Sequence, residues 1–301
     1  MDLSDLVIFK TVAEEGGIVR AARKLHRVQS NVTTRIKQLE ASIGAQLFFR
    51  DRRRLVLSPN GESLLVYADK LLRLADEART ALSGQPPSGV LRLGALESTC
   101  ASRLPAVLSR FHAAFPNVRV ALQTGTNDAL TAAVKERRLD AAFTAEAPVD
   151  RELTALPLFR ERLVLISPLG HGPIGGPRDV RDDAVIAFPN GCAYRRILER
   201  WLGAKSIAAL RILELSSYHA IVACVASGTG VALVPESVLD VVRTGEVTRH
   251  PLPQVLASIV TPLIWRAAEA SPSVTALESL LRADRKPHRQ RAPAKVKENR
   301  L

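Results

Sequence analysis

GIVRAARKLHRVQSNVTTRIKQLEASIGAQL, residues 17–47, is the stretch on which the rest of the reading turns. Ile18, Ala21, Ala22 and Leu25 fall at i, i+3, i+4 and i+7, one face of a short helix, and Val32, Ile36, Leu39 and Ile43 repeat that spacing in a second. Only His26 to Ser30 separates the two runs, which predicts a tight turn. Two short helices joined this way, with Ala-Ala on an inner face where backbones must approach closely, predict a helix-turn-helix. The second helix leaves Gln29, Ser30, Asn31, Thr33, Thr34, Arg35 and Lys37 off its apolar stripe, residue types that read base edges and grip phosphates. From Arg20 to Arg54 there are ten Arg or Lys against two acids, a compact positive face suited to a polyanion. The plainer reading is a three-helix core with a solvated basic surface.

The flanks favour the first reading. LFFRDRRRLVLSPNGESLL follows, two β-prone pieces around Arg50, Arg52, Arg53 and Arg54, which reads as a basic wing. Residues 1–83 resemble the winged helix-turn-helix and linker helix of LysR-type transcriptional regulators. The match is carried by Phe9, Val12, Ala13, Gly17, Ala21, Ala22, Leu25, Gln29, Val32, Ile36, Leu39, Glu40, Gly44, Leu47, Phe48, Arg50, Leu57, Ser58, Pro59 and Gly61. Val28 and Ser30 depart from the family pattern, which has a Ser cap and a Pro around the same Gln, so capping of the second helix is expected to fall to Ser30. The resemblance implies base contacts from Gln29, Asn31, Thr33 and Thr34, base or phosphate contacts from Arg35 and Lys37, and phosphate or minor-groove contacts from the four wing arginines.

Working outward, Leu3, Leu6, Phe9 and Val12 with Ala13 give a first helix its buried stripe, and Gly16-Gly17 ends it. Beyond the wing, Ser58, Pro59 and Glu62 form a helix-start signal. That helix runs to about Leu82, with Leu64, Leu65, Ala68, Leu71, Leu72, Ala75, Ala78 and Leu82 at threes and fours. It is too long for so small a head to cover, so its stripe is expected to pack against a partner helix; the resemblance implies an antiparallel pairing with its copy in a second subunit. SGQPPSG then reads as a hinge, 84–89.

From residue 90 onward strands alternate with helices. VLRLGAL, VRVALQT, DAAFTA, RLVLIS, AVIAFP, RILEL, VALVP and SIVTPLIW read as strands, an α/β pattern that argues for parallel sheets wrapped by helices. The family's effector-binding domain resembles a type 2 periplasmic binding protein, which implies two lobes, 90–162 with 266–285 and 163–265, hinged near Arg162 and Ile264 with the ligand between them. The expected organisation is therefore a head over 1–58, a linker helix over 59–83, an effector domain over 90–285 and a basic, disordered tail over 286–301.

Charge supports this division. Of the net +12, residues 1–83 carry +4, residues 84–284 only +2 and residues 285–301 +6, so nucleic acid is expected to engage the ends. Cys100, Cys192 and Cys224 are too few and too scattered for a disulfide framework or a metal set, which fits a reducing cytosol. MDLSDLVIF offers neither a positive leader nor a long apolar run, so a cytoplasmic protein without a membrane span is expected.

Ligands of open α/β sheets sit beyond the carboxyl ends of strands. That rule selects Ser98 and Thr99 after the first strand, Gly125 and Thr126 after the second and Thr144 after the third. It adds Cys192, Tyr194 and Arg195 across the hinge, and Tyr218 and His219 at a helix start. Taken singly, each is explained by helix capping. Together they describe a cleft for a small polar metabolite, in which Arg195 would hold a carboxylate while Glu97 and Glu146 would favour a cation such as a diamine. HRVQSNVTTRIKQLE, LESTCASRLP and SYHAIVACVASGTGVALVP are similar to the putrescine-utilisation branch of the family.

Scattered histidines, the absence of a GxSxG or phosphate-binding loop and the lack of metal spacing argue against an enzyme and against a cofactor. A thiol-based redox sensor using Cys192 and Cys224 is the alternative; a solute-binding or enzymatic α/β protein with an incidental basic head is a remoter one. The expectation is a regulator that binds duplex DNA at an interrupted inverted repeat as a homodimer or homotetramer, answers to a polar metabolite and contacts RNA polymerase.

Overall fold

The computed structural model describes residues 1–51, 54–84, 86–180, 184–203, 211–242 and 245–284, and the chain divides into two compact units after residue 85. The expectations placed on Arg52 and Arg53, on the side chains of Arg50 and Arg54, and on the tail 286–301 lie outside the described residues.

In the first unit, α1 (Leu3–Glu15) begins with a reciprocal cap: Asp5 N–H donates to Asp2 Oδ1 at 2.8 Å and Asp2 N–H to Asp5 Oδ2 at 3.1 Å. It ends at Gly16 in the left-handed region, as the Gly-Gly pair predicts. Two helices follow, α2 (Ile18–Lys24) and α3 (Gln29–Ile43), with Ala21, Ala22, Val32, Ile36 and Leu39 buried. The expected Ser30 cap is not formed. Val28 occupies the N-cap position without a side-chain hydrogen bond and Ser30 lies inside the first turn, because the helix starts two residues earlier than the Ser would require.

The wing hairpin, β1 (Phe48–Asp51) and β2 (Arg54–Leu57), is antiparallel, and Phe48 packs on Phe9 with ring centroids 5.4 Å apart. Glu40 Oε1 accepts from Leu47 N at 2.8 Å and so ties the end of α3 to the wing. The long helix α4 (Pro59–Ser83) opens with Ser58 Oγ accepting from Gly61 N at 3.0 Å and Pro59 at its first position. Its stripe divides. Leu64, Leu65, Ala68 and Leu72 pack on the head's own core, so the expectation that the whole stripe awaits a partner is corrected for its first turns. Val66, Tyr67, Leu71, Leu74 and Leu82 are exposed.

Among the described residues the second unit holds nine strands in one hydrogen-bonded network, ordered β4-β3-β5-β11-β6-β9-β7-β8 with β10 paired to β6. Here β3 is Gly89–Ala95, β4 Val118–Thr124, β5 Ala141–Phe143, β6 Leu153–Pro168, β7 Ala184–Ala187, β8 Arg211–Glu214, β9 Val231–Pro235, β10 Val247–Pro251 and β11 Ser258–Arg266. The helices are α5 (Glu97–Ser102), α6 (Leu104–Ala114), α7 (Asn127–Lys135), α8 (Ala193–Leu202), α9 (Tyr218–Ala226), α10 (Glu236–Leu239) and α11 (Pro272–Asp284).

Purely parallel sheets were expected, and the sheets are mixed. β3 with β4 and β5, and β7 with β8 and β9, are parallel, whereas β6 runs antiparallel to β9, β10 and β11. β6 makes two lobes of one network. Residues Leu153–Arg162 pair with β11, and residues from Leu163 onward pair with β9 and β10. The outward crossing thus falls at Arg162/Leu163, but the return expected near Ile264 comes earlier. Every residue from Ser258 to Arg266 already pairs within the first lobe, Ile264 with Ala142 of β5. An antiparallel return strand completes the first sheet before the chain leaves it, which moves the boundary to about Ala257/Ser258. The pairing of β11 slips at Thr261/Pro262, where proline lacks the N–H that the ladder needs.

Candidate nucleic-acid interface and interlobe cleft

At 100° per residue, the buried stripe of α3 leaves Ser30, Thr34 and Lys37 on the opposite face with Asn31 beside them, while Gln29 stands at the helix start on the edge of the stripe. All five are exposed. The Asn31 side-chain oxygen accepts from Arg27 Nη1 at 3.4 Å, and the Thr33 hydroxyl donates to Gln29 O at 2.9 Å, which turns it back onto its own helix.

Arg35 differs from the others. It stands at the flank of the buried stripe, and its Nη2 is held 3.1 Å from Asp2 Oδ2 and 2.9 Å from Asp5 Oδ1. The same carboxylates that cap α1 therefore pair with this guanidinium, which ties α1 to α3.

In the second unit the two lobes meet through polar groups. Ser98 and Thr99 on α5 are buried, and Ser98 Oγ lies 3.4 Å from Tyr194 OH on α8. Tyr218, the first residue of α9, is also buried, packs at a tilt against Phe188 with ring centroids 4.7 Å apart and reaches Ser98 with its hydroxyl. Its backbone N–H donates to Glu97 Oε1 at 3.4 Å. Burial pushes the Glu97 carboxyl above its ordinary range and both tyrosine hydroxyls far above theirs, so the tyrosines stay protonated and able to donate. At the mouth, Thr126 caps α7 and faces Gly191 closely: a Cβ at Gly191 would meet Thr126 Oγ1 at 3.1 Å. Gly125 sits beside it, packed over Leu130.

Other expected positions look elsewhere. The Thr144 hydroxyl donates to Glu146 O at 3.0 Å, a local turn contact, and His219 is exposed, reaching Glu97 only through its charge. Arg195 is spent inside its own lobe. It bonds Glu199 Oε1 at 2.8 Å, Phe188 O at 3.1 Å and Glu214, and lies at the rim of an apolar groove lined by Val185, Leu198 and Ile212. Its neighbour Arg196 crosses between lobes instead, with Nη1 3.1 and 3.2 Å from the Asp128 oxygens and Nη2 3.5 Å from Glu146 Oε2. Glu146 is thus paired with Arg196.

A second network lies at the crossing strand. Glu161, buried on β6, accepts from Arg103 Nε at 2.7 Å and from Ser237 Oγ of α10 at 2.6 Å. Sequence reading missed this network, although an acid inside the apolar run LPLFRERLVLIS was its signal.

Residues 84–286 match the family model described as the LysR substrate binding domain, and residues 3–62 match that of the bacterial regulatory helix-turn-helix protein, lysR family. The chain belongs to the LysR family. Among relatives of this LysR-family chain, the HTH-type transcriptional regulator YusT of Bacillus subtilis (strain 168) is 37% identical over 268 residues, covering 88% of this chain and 90% of the relative. CzcR of Bacillus thuringiensis subsp. konkukian is 37% identical over 269 residues, covering 88% and 91%. The fold is shared with full-length OxyR from Pseudomonas aeruginosa (TM-score 0.67, 23% identity, 95% of each chain) and with CbnR in complex with its target DNA (TM-score 0.66, 21% identity, 94% and 99%).

As a LysR-family member the chain is a DNA-binding transcriptional regulator, and its relatives are regulators in place of enzymes. Among the described residues no group of three or more His, Cys, Asp or Glu could hold a metal ion, and no helix is long and apolar enough to cross a membrane. The thiol-switch alternative fares poorly. Of its two cysteines, Cys192 is buried, and burial pushes its thiol up, while Cys224 is half-buried against the apolar core. Reactive thiols need the opposite surroundings.

Proposed function

We propose that this LysR-family regulator reads duplex DNA through α3 and that a small polar metabolite, bound between the lobes of the second unit, modulates its promoter binding. One observation carries the reading: Ser98 and Glu97 of one lobe converge on polar contacts with Tyr194 and Tyr218 of the other. A molecule held by both sides changes how the lobes close, and differential affinity for the two closures is what a control ligand requires. By linkage, DNA alters the affinity for that ligand by the same factor.

The exposed second half of the α4 stripe supports a homodimer through that helix. A homotetramer, recognition helices in successive major grooves of an interrupted inverted repeat, contact with RNA polymerase and a cytoplasmic location follow from family membership as parts of the same proposal. Gln29, Ser30, Asn31 and Thr34 are proposed to face bases and Lys37 a phosphate. Thr33 is proposed as a methyl contact, since its hydroxyl is turned inward.

The test is a metabolite screen on the full chain with two readouts, melting temperature and half-saturation of its promoter DNA. A compound that moves both in the wild type and neither in Ser98→Ala or Tyr194→Phe supports the cleft. A compound whose effect survives both substitutions places the control site elsewhere.

A further inference from the structure

We infer that the interlobe cleft selects a ligand carrying an aliphatic primary ammonium group, and that Glu97 is the group that binds it. The inference rests on the cleft being the ligand site and adds the ligand's charge. Glu97 Oε1 accepts the Tyr218 N–H, whereas Glu97 Oε2 is buried and has no hydrogen-bond partner among the described residues. A second orphan lies across the same cluster: Thr261 is fully buried at the slipped register of β11, close to the Tyr194 hydroxyl, and its Oγ1 also lacks a partner among the described residues. Buried acceptors of this kind are costly unless something donates to them.

Among the described residues no cation pairs with Glu97. Arg195 is tied to Glu199 and Glu214, Arg196 to Asp128 and Glu146, and Arg103 to Glu161. The titratable groups facing Glu97 are Cys100 on its own helix and Tyr218 and His219 on α9, of which only His219 can become positive, and it is exposed. An ammonium group brings three donors and a charge to a place that has spare acceptors and no countercharge: one N–H for Glu97 Oε2, the others for Ser98, Thr261 or a tyrosine oxygen. A carboxylate ligand would meet the Glu97 charge with no arginine to offset it.

The experiment is calorimetric titration of the full chain with n-butylammonium, 1,4-diaminobutane and 1,5-diaminopentane, against butyrate, glutarate and butane-1,4-diol. At least one amine is expected to bind the wild type, and Glu97→Gln, which keeps the shape and removes the charge, to weaken it by roughly tenfold to a hundredfold. Amine affinity is also expected to fall as the pH drops into the range where Glu97 takes up a proton. No amine binding, or amine binding equal in the wild type and Glu97→Gln, overturns the inference. If a carboxylate or the diol binds instead and loses affinity in Ser98→Ala, the ammonium selection is wrong while the cleft reading stands; if compounds bind with no effect of either substitution, both readings fail.

Discussion

Replacing Gly61 by Ala sets two effects of opposite sign against each other. Gly61 lies in the first turn of α4, and by helix propensity alone an alanine there stabilises by about 1 kcal/mol. The structure predicts the reverse. A Cβ at this position would stand 2.1 Å from the Leu47 carbonyl oxygen and 2.9 Å from a Leu57 methyl. An ordinary C···O contact is about 3.3 Å, so the Leu47 backbone must retreat by roughly an ångström. It is not free to do so. Leu47 O accepts from Ser58 N at 2.9 Å, and Leu47 N is held by Glu40 Oε1 at 2.8 Å. A clash with backbone pinned on both sides belongs at the upper end of overpacking costs, about 3 kcal/mol, which leaves a net loss of about 2 kcal/mol after the propensity gain. For a unit of this size that lowers the melting temperature by roughly 8–16 °C. Scanning calorimetry of the full chain measures the shift, and hydrogen exchange at the Leu47 and Phe48 amides locates it in the head. A Gly61→Ala protein as stable as the wild type, with those amides still protected, would refute the close approach of α4 to the wing.

Other outcomes follow from the second unit. Arg196→Ala removes exposed ion pairs worth about 0–1 kcal/mol, so the melting temperature should barely move, while exchange of the amides around Thr126 and Gly191 speeds up; a large loss of stability would mean that Arg196 does more than join the lobes. Cys192 should react with Ellman's reagent only after denaturation, and rapid reaction of Cys192 together with Cys224 in the native protein would restore the thiol-switch reading. His250 is buried, with Nδ1 accepting from Ile174 N and Nε2 bonded to Ser167 Oγ, and burial and then the His171 charge lower its pKa. Its contribution is thus complete above the unfolded-state value of about 6.5 and is lost as pH falls from there through the lowered folded value. His250→Gln should flatten that part of the pH–stability curve, and an unaltered curve would assign the acid sensitivity to other groups.

Periodicity made the head legible nearly to the residue, because its helices are short, capped by recognisable residues and packed by one stripe each. Where it failed, the failures have physical reasons. The cap expected of Ser30 depended on a helix start that moved by two residues. In the second unit, VALVP and VRVALQT were legible as strands, but their directions were not, since alternation with helices suggests parallel strands and carries no signal for an antiparallel pair that passes between lobes. The strand VTRHP and the first half of β6 were missed because neither shows a clean apolar run.

Charged residues were the hardest to place from sequence. Arg35, Arg195 and Arg196 are all arginines near polar helix starts, and composition treats them alike. What separates them is which carboxylate reaches them, and Asp2, Glu214 and Asp128 lie 33, 19 and 68 positions away in sequence. The same long-range pairing bears on how the regulator can respond. Glu161 is buried and held by Arg103 from one lobe and Ser237 from the other, and withdrawing a partner from a buried carboxylate costs about 3–5 kcal/mol. The apolar core is also continuous across the crossing, with Leu130 and Ala142 in the same cluster as Leu165 and Ile186. Wide separation of the lobes would break both, so a ligand with ordinary metabolite affinity can drive only a small rotation that keeps the Glu161 network intact. On the proposed reading, control of DNA binding is therefore exerted by a modest change in closure, and the residues placed to sense it are those at the mouth, Arg196 with Asp128 and Thr126 opposite Gly191.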